Sequence, residues 1–147
     1  MHEFLTRLPA FLGHHVLLVA AFIVIIVALI ALEVSRKFRG FRELTPGALV
    51  QMINRAEPLV IDLSAVADFE KGHITGSRNV QPSQLTPAHK LLASAKQSPV
   101  VLVCRSGMSA GGVAKTLKKA GFEQVSVLDG GIAAWQAADL PLVKGRG

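Results

Sequence analysis

The 147-residue chain has one cysteine, Cys104, so no disulfide can form within it. A catalytic cycle that used this thiol would have no second cysteine to resolve it, and a lone thiol suits a reducing compartment. His2, His14, His15 and His89 fall in no metal-ligand spacing, so neither a metal nor a cofactor is expected. Internal repeats and low-complexity tracts are absent. From Glu43 onward 11 Lys and Arg face 8 Asp and Glu without forming a basic stripe, which removes nucleic acid from the expected partners.

What the chain does have is a run of 17 apolar residues, Val16 to Leu32, free of polar or charged groups. At ~1.5 Å per residue it makes roughly 25 Å of helix, near the lower limit for crossing a bilayer. A cleaved leader would have a shorter core and a small-residue exit, whereas this run leaves through "ALEVSRKFRGFR". A buried core helix is rarely apolar around its whole circumference. The expectation is an uncleaved transmembrane helix over residues 14–34, after a short segment 1–13 and before a basic juxtamembrane linker over 35–43. Arg36, Lys37, Arg39 and Arg42 follow the run within ten residues, against only Arg7 and the amino terminus as cations before it. Positive charge stays cytoplasmic, so a single-pass protein of the inner membrane is expected, its N-terminus outside and its C-terminal domain in the cytoplasm. The linker would add attraction to anionic lipid, ~1 kcal/mol per basic residue, and accounts for much of the net charge of +6.

Beyond the linker, apolar runs of strand length alternate with helical patterns. Thr45 and Pro46 predict a capped helix that Pro58 ends, and Thr86 and Pro87 predict a second through about Ala95. "LVIDL", "PVVLVC" and "QVSVLDG" read as strands, "PVVLVC" being apolar on both faces as a central parallel strand should be. "SAGGVAKTLKKAGF" and "GGIAAWQAADLP" read as helices. The pattern predicts an α/β domain over 44–147, a mostly parallel central sheet covered by helices on both faces.

Cys104 ends the central strand and "RSGMSA" runs directly into a helix. In open α/β sheets that turn faces the crevice where ligands bind. Backbone N–H groups from Arg105, Ser106, Gly107, Met108 and Ser109 can converge there, and the helix dipole and Arg105 add positive potential. Each favours the nucleophilic thiolate. The plainer alternative is a buried cysteine acting as a small hydrophobe. A cysteine-dependent phosphatase would carry an arginine six positions after the cysteine, and that position is Ala110.

Three segments in order resemble the rhodanese (sulfurtransferase) family. "VIDLSAVADFEKGHITGSRNV" is similar to its Asp-bearing strand and Gly-His-Ile loop, and "VVLVCRSGMSA" to its active-site loop. "VSVLDGGIAAWQAADLPLVKG" is similar to its closing strand, Asp-Gly-Gly turn and Trp helix. The resemblance covers about residues 43–147 and implies the three-layer rhodanese fold. It implies that Cys104 takes sulfane sulfur from a small donor, thiosulfate or a persulfide, and passes it as a persulfide to a thiol or protein acceptor. A single such domain on one N-terminal membrane helix is also a bacterial arrangement. Asp62, His73, Asp129 and Gly130 become structural supports in this comparison. The chain departs from the family at Ser64, Thr75 and Ser109, where many members carry Arg, Pro and Arg. Losing the cation at Ser109 weakens the case for a small dianion and keeps open a second function, a rhodanese-fold scaffold that docks proteins at a membrane.

Overall fold

The computed structural model describes residues 15–37 and 40–146; expectations resting on residues 1–14, on 38 and 39, and on the side chains of 36 and 37 lie outside the described residues. Two compact units divide the chain at Arg39. The first contains α1, Val16–Lys37, a 22-residue helix. Val16–Ser35 is long and apolar enough to cross a membrane, with a mean hydropathy of 3.1. Leu17, Phe22 and Ile30 are exposed along it.

The second unit is built on a five-stranded, all-parallel sheet of β1 (Arg42–Leu44), β2 (Leu59–Asp62), β3 (Arg78–Asn79), β4 (Val100–Val103) and β5 (Val125–Leu128). The spatial order is β1-β5-β4-β2-β3, which places β4 at the centre. The four residues of β4 are wholly buried, each contributing roughly 1.5–3 kcal/mol of transfer free energy. Their alternation feeds two cores. Val100, Leu102 and then Cys104 join Ala110, Ala114, Leu117 and Phe122 on one face. Val101 and Val103 join Leu49, Ile132 and Trp135 on the other. This is the expected three-layer arrangement.

The helices follow from local chemistry. Thr45 accepts a hydrogen bond from the Ala48 amide, and Pro46 opens α2, Pro46–Ala56, where its missing N–H leaves nothing unpaired. The helix α3, Val66–Lys71, follows the carboxyl end of β2. Ala110, Ala114 and Leu117 form the buried stripe of α4, Ala110–Lys119, and the chain closes with α5, Gly131–Ala137.

Two expectations are corrected. The helix predicted from Thr86 is a single 3-10 turn, Lys90–Leu92. His89, rather than Thr86, caps it by accepting from the Leu91 amide. "PAHKLLASAKQSP" buries only Leu92 and Ala95 fully, too narrow a stripe to hold a longer helix against the sheet. Arg42 and Glu43, read as linker, belong to edge strand β1, paired with Ser126 and Val127.

Candidate active site

Parallel pairing aligns the carboxyl ends of β2 and β4, with Asp62 beside Val103 and the Leu63 amide donating to the Val103 carbonyl at 2.7 Å. Cys104 therefore leaves the sheet next to the loop that begins at Leu63. Its residue is 3% exposed, and the Gly107 amide donates to Sγ at 3.0 Å. That bond turns the chain back over the sulfur and gives it one fixed partial positive charge. Gly107 has φ +86, and a Cβ there would approach the Gly130 nitrogen to 3.1 Å. Glycine thus serves both the turn and its close packing. Ser106, Met108 and Ser109 are exposed along the rest of the loop, Met108 at 87%.

A second turn supports the first from below. The Asp129 amide donates to the Leu44 carbonyl, fixing the end of β5 against β1. Gly130 then bends the chain so that the Ile132 and Ala133 amides donate to the carbonyls of Cys104 and Arg105, at 3.0 and 3.2 Å. The first turn of α5 thus holds the backbone of the cysteine loop. A Cβ on Gly131 would lie 2.0 Å from the Cys104 carbonyl oxygen, so no other residue fits.

Asp62 is 1% exposed. Its Oδ1 accepts from the Ser64 amide at 2.8 Å, whereas Oδ2 is buried without a partner. Burial pushes its carboxyl above the usual range, against the Ser64 hydrogen bonds and the nearby His73. Asn79 and Gln81 donate to the Ser64 carbonyl at 2.9 and 3.0 Å, clamping the same loop. His73 is buried and stacks on Phe69 with ring centroids 3.7 Å apart. Its Nδ1 lies 2.9 Å from the Phe69 carbonyl, which can only accept, so Nδ1 carries a proton and donates. The structure therefore gathers Cys104, Gly107 and Arg105 with the Asp129–Gly130 turn, while His73 lies in the helix-to-loop junction after α3.

The expectation for Arg105 is refined. Its guanidinium reaches Asp68 of α3, Nη1 to Oδ1 at 2.7 Å. Lys71 approaches the same Oδ1 at 3.4 Å. Arg105, by its hydrogen bond and charge, holds the Asp68 carboxyl below the usual range. These three residues rim a cleft of about 280 Å³ with Ser64, Ile132 and Gln136. Sequence reading did not single out Asp68 or the Asn79–Gln81 clamp. The acidic residue in "ADFEK" was visible, but its partner 37 positions away was not.

Residues 45–138 match the family model of the rhodanese-like domain. The chain belongs to the rhodanese-like domain family. It is 38% identical over 138 residues to the protein YibN of Escherichia coli (strain K12), spanning 92% of this chain and 96% of that one. It is 34% identical over 100 residues to the thiosulfate sulfurtransferase GlpE of Shewanella oneidensis, across 68% of this chain and 97% of GlpE. Among solved structures, the thiosulfate sulfurtransferase of Pseudomonas aeruginosa superposes with a TM-score of 0.64 at 32% identity. That match covers 73% of this chain and 20% of the longer Pseudomonas protein. The rhodanese-like domain thus accounts for the second unit, and the relatives support membership of the sulfurtransferase family.

Proposed function

We propose that this protein is a membrane-tethered sulfurtransferase that carries sulfane sulfur as a persulfide on Cys104. The observation that carries the reading is the Gly107 amide on Sγ at the carboxyl end of the central strand. The Cys104 thiolate attacks the outer sulfur of thiosulfate or of a persulfide. A new S–S bond forms, the donor's S–S bond breaks, and sulfite or a thiolate leaves with the electron pair. The acceptor, a thiol or a protein, then attacks the outer sulfur, and the electron pair returns to Cys104. With no second cysteine the sulfur leaves only to an external acceptor. The Gly107 amide gives the sulfur a hydrogen-bond donor at the point where the transfer takes place.

Helix α1 is read as a single inner-membrane span with the domain in the cytoplasm. Its length and hydropathy support this, as does the excess of Lys and Arg after it. The sulfur chemistry is tested with full-length protein in detergent. Incubation with thiosulfate or glutathione persulfide should add one sulfur, about 32 Da, to Cys104. Cyanide should release it as thiocyanate, and Cys104→Ser should abolish both. Full thiocyanate release by the serine variant would end the proposal. The exposed Met108 at the loop tip favours a second reading, a docking module for membrane-associated proteins. Retained cellular function in Cys104→Ala, with no sulfur gained from any donor, would select it.

A further inference from the structure

The cleft beside the cysteine loop has a charge arrangement that a simple dianion does not match. Arg105 and Lys71 both approach Asp68 through one oxygen, Oδ1, at 2.7 and 3.4 Å. The Asp68 side chain is 30% exposed, so part of its carboxylate faces solvent at the rim. The Arg105 and Lys71 side chains are 72% and 76% exposed, so both keep N–H donors open to solvent. The rim therefore presents a part-exposed carboxylate between two largely exposed cations. Asp68 also cancels much of the attraction Arg105 would otherwise exert on thiosulfate. At about 280 Å³ the cleft is close to the smallest ordinary ligand pockets, roughly 300 Å³, and far larger than a four-oxygen-sized anion needs. Ser64 and Gln136 add neutral hydrogen-bonding groups to its wall.

We propose that this cleft is the subsite for a low-molecular-weight acceptor thiol bearing an α-amino-acid group, with its ammonium on the exposed edge of the Asp68 carboxylate and its carboxylate on Lys71 and Arg105. The assignment rests on Cys104 carrying the persulfide. The acceptor thiolate attacks the outer sulfur, the Cys104 S–S bond breaks, and its electron pair returns to Sγ. Asp68 is then the residue that selects amino-acid thiols over plain carboxylate thiols and over small dianions.

The test loads full-length protein with sulfur from inorganic polysulfide and follows loss of the added sulfur by mass spectrometry. The acceptors are cysteine, 3-mercaptopropionate, which lacks the ammonium, and cysteamine, which lacks the carboxylate. Taking each variant-to-wild-type ratio cancels the differing nucleophilicities of the thiols. Asp68→Asn should slow cysteine about threefold and speed 3-mercaptopropionate by a similar factor, the scale of an exposed charge contact. Asp68→Glu should restore the wild-type order. Lys71→Gln, which leaves Asp68 in place, should slow cysteine and 3-mercaptopropionate while sparing or speeding cysteamine. Equal changes for all three thiols in Asp68→Asn and Lys71→Gln would overturn the subsite and leave the persulfide reading standing. Failure of wild-type Cys104 to gain sulfur from polysulfide would overturn both.

Discussion

Replacing Gly131 by alanine should unfasten the cysteine loop, and the structure sets the scale of the effect. Gly131 has φ +59, a left-handed conformation that costs an L-residue about 1–2 kcal/mol. The added Cβ would sit 2.0 Å from the Cys104 carbonyl oxygen and 2.9 Å from the Arg105 carbonyl oxygen. Both are backbone atoms, so no side chain can rotate out of the way. The same two carbonyls accept from the Ile132 and Ala133 amides, and retreating from the methyl group breaks those bonds at about 1 kcal/mol each. The sum is roughly 3–4 kcal/mol, at the disruptive end of single substitutions. Gly121→Ala supplies the control. Its φ is +94, but nothing lies within 4 Å of the added Cβ, so only the backbone term of about 1–2 kcal/mol applies. Urea unfolding of the full-length protein in detergent, followed by the fluorescence of Trp135, the chain's one tryptophan, reads both variants. Gly131→Ala should fall below Gly121→Ala by about 2 kcal/mol, and its Cys104 should alkylate faster before the main transition. Equal losses in the two variants would refute the claim that α5 clamps the cysteine loop.

Other outcomes follow from the same contacts. Trp135→Phe removes the indole donor to the Pro141 carbonyl, at 3.0 Å, and should destabilise the domain by about 1 kcal/mol in thermal unfolding. Burial raises the Asp62 carboxyl, so the folded state holds that proton more tightly than the unfolded chain does. Wild type should therefore lose stability relative to Asp62→Asn as pH rises from below 3.8 through the raised folded value, and denaturant midpoints across pH 3–7 check this. Asp68 has the opposite sign: Arg105 lowers its carboxyl, so its contribution is fully present above 3.8 and lost as pH falls through the lowered folded value. A C-terminal tag on the full-length protein should resist external protease in intact spheroplasts and be cleaved after lysis; cleavage in intact spheroplasts would reverse the proposed orientation.

The features readable in the sequence share one property: their cause is local. Val100 to Val103 declared a central strand because both faces of a covered parallel strand are apolar. Thr45 with Pro46 declared a helix start because cap and proline act within one turn. Strand β1 had no such signal. "REL" is charged and only Leu44 of it is buried, so it becomes a strand only because β5 offers an unpaired edge. The Thr86 helix failed for the reverse reason, a good local start without enough apolar surface to dock the helix body.

By itself, then, the sequence determined the alternation of strands and helices, the apolar span of α1, and the placing of Cys104 at a strand-to-helix turn with glycine three residues on. Each depends on residues within a few positions of one another. Only the tertiary structure decided what surrounds that sulfur. Asp68 meets Arg105, Asn79 and Gln81 hold Ser64, and Gly131 admits the Cys104 carbonyl, because the sheet order brings segments tens of residues apart to one end. Charge pairing and steric fit act through space, and a linear chain does not record which distant residues its own packing will make neighbours.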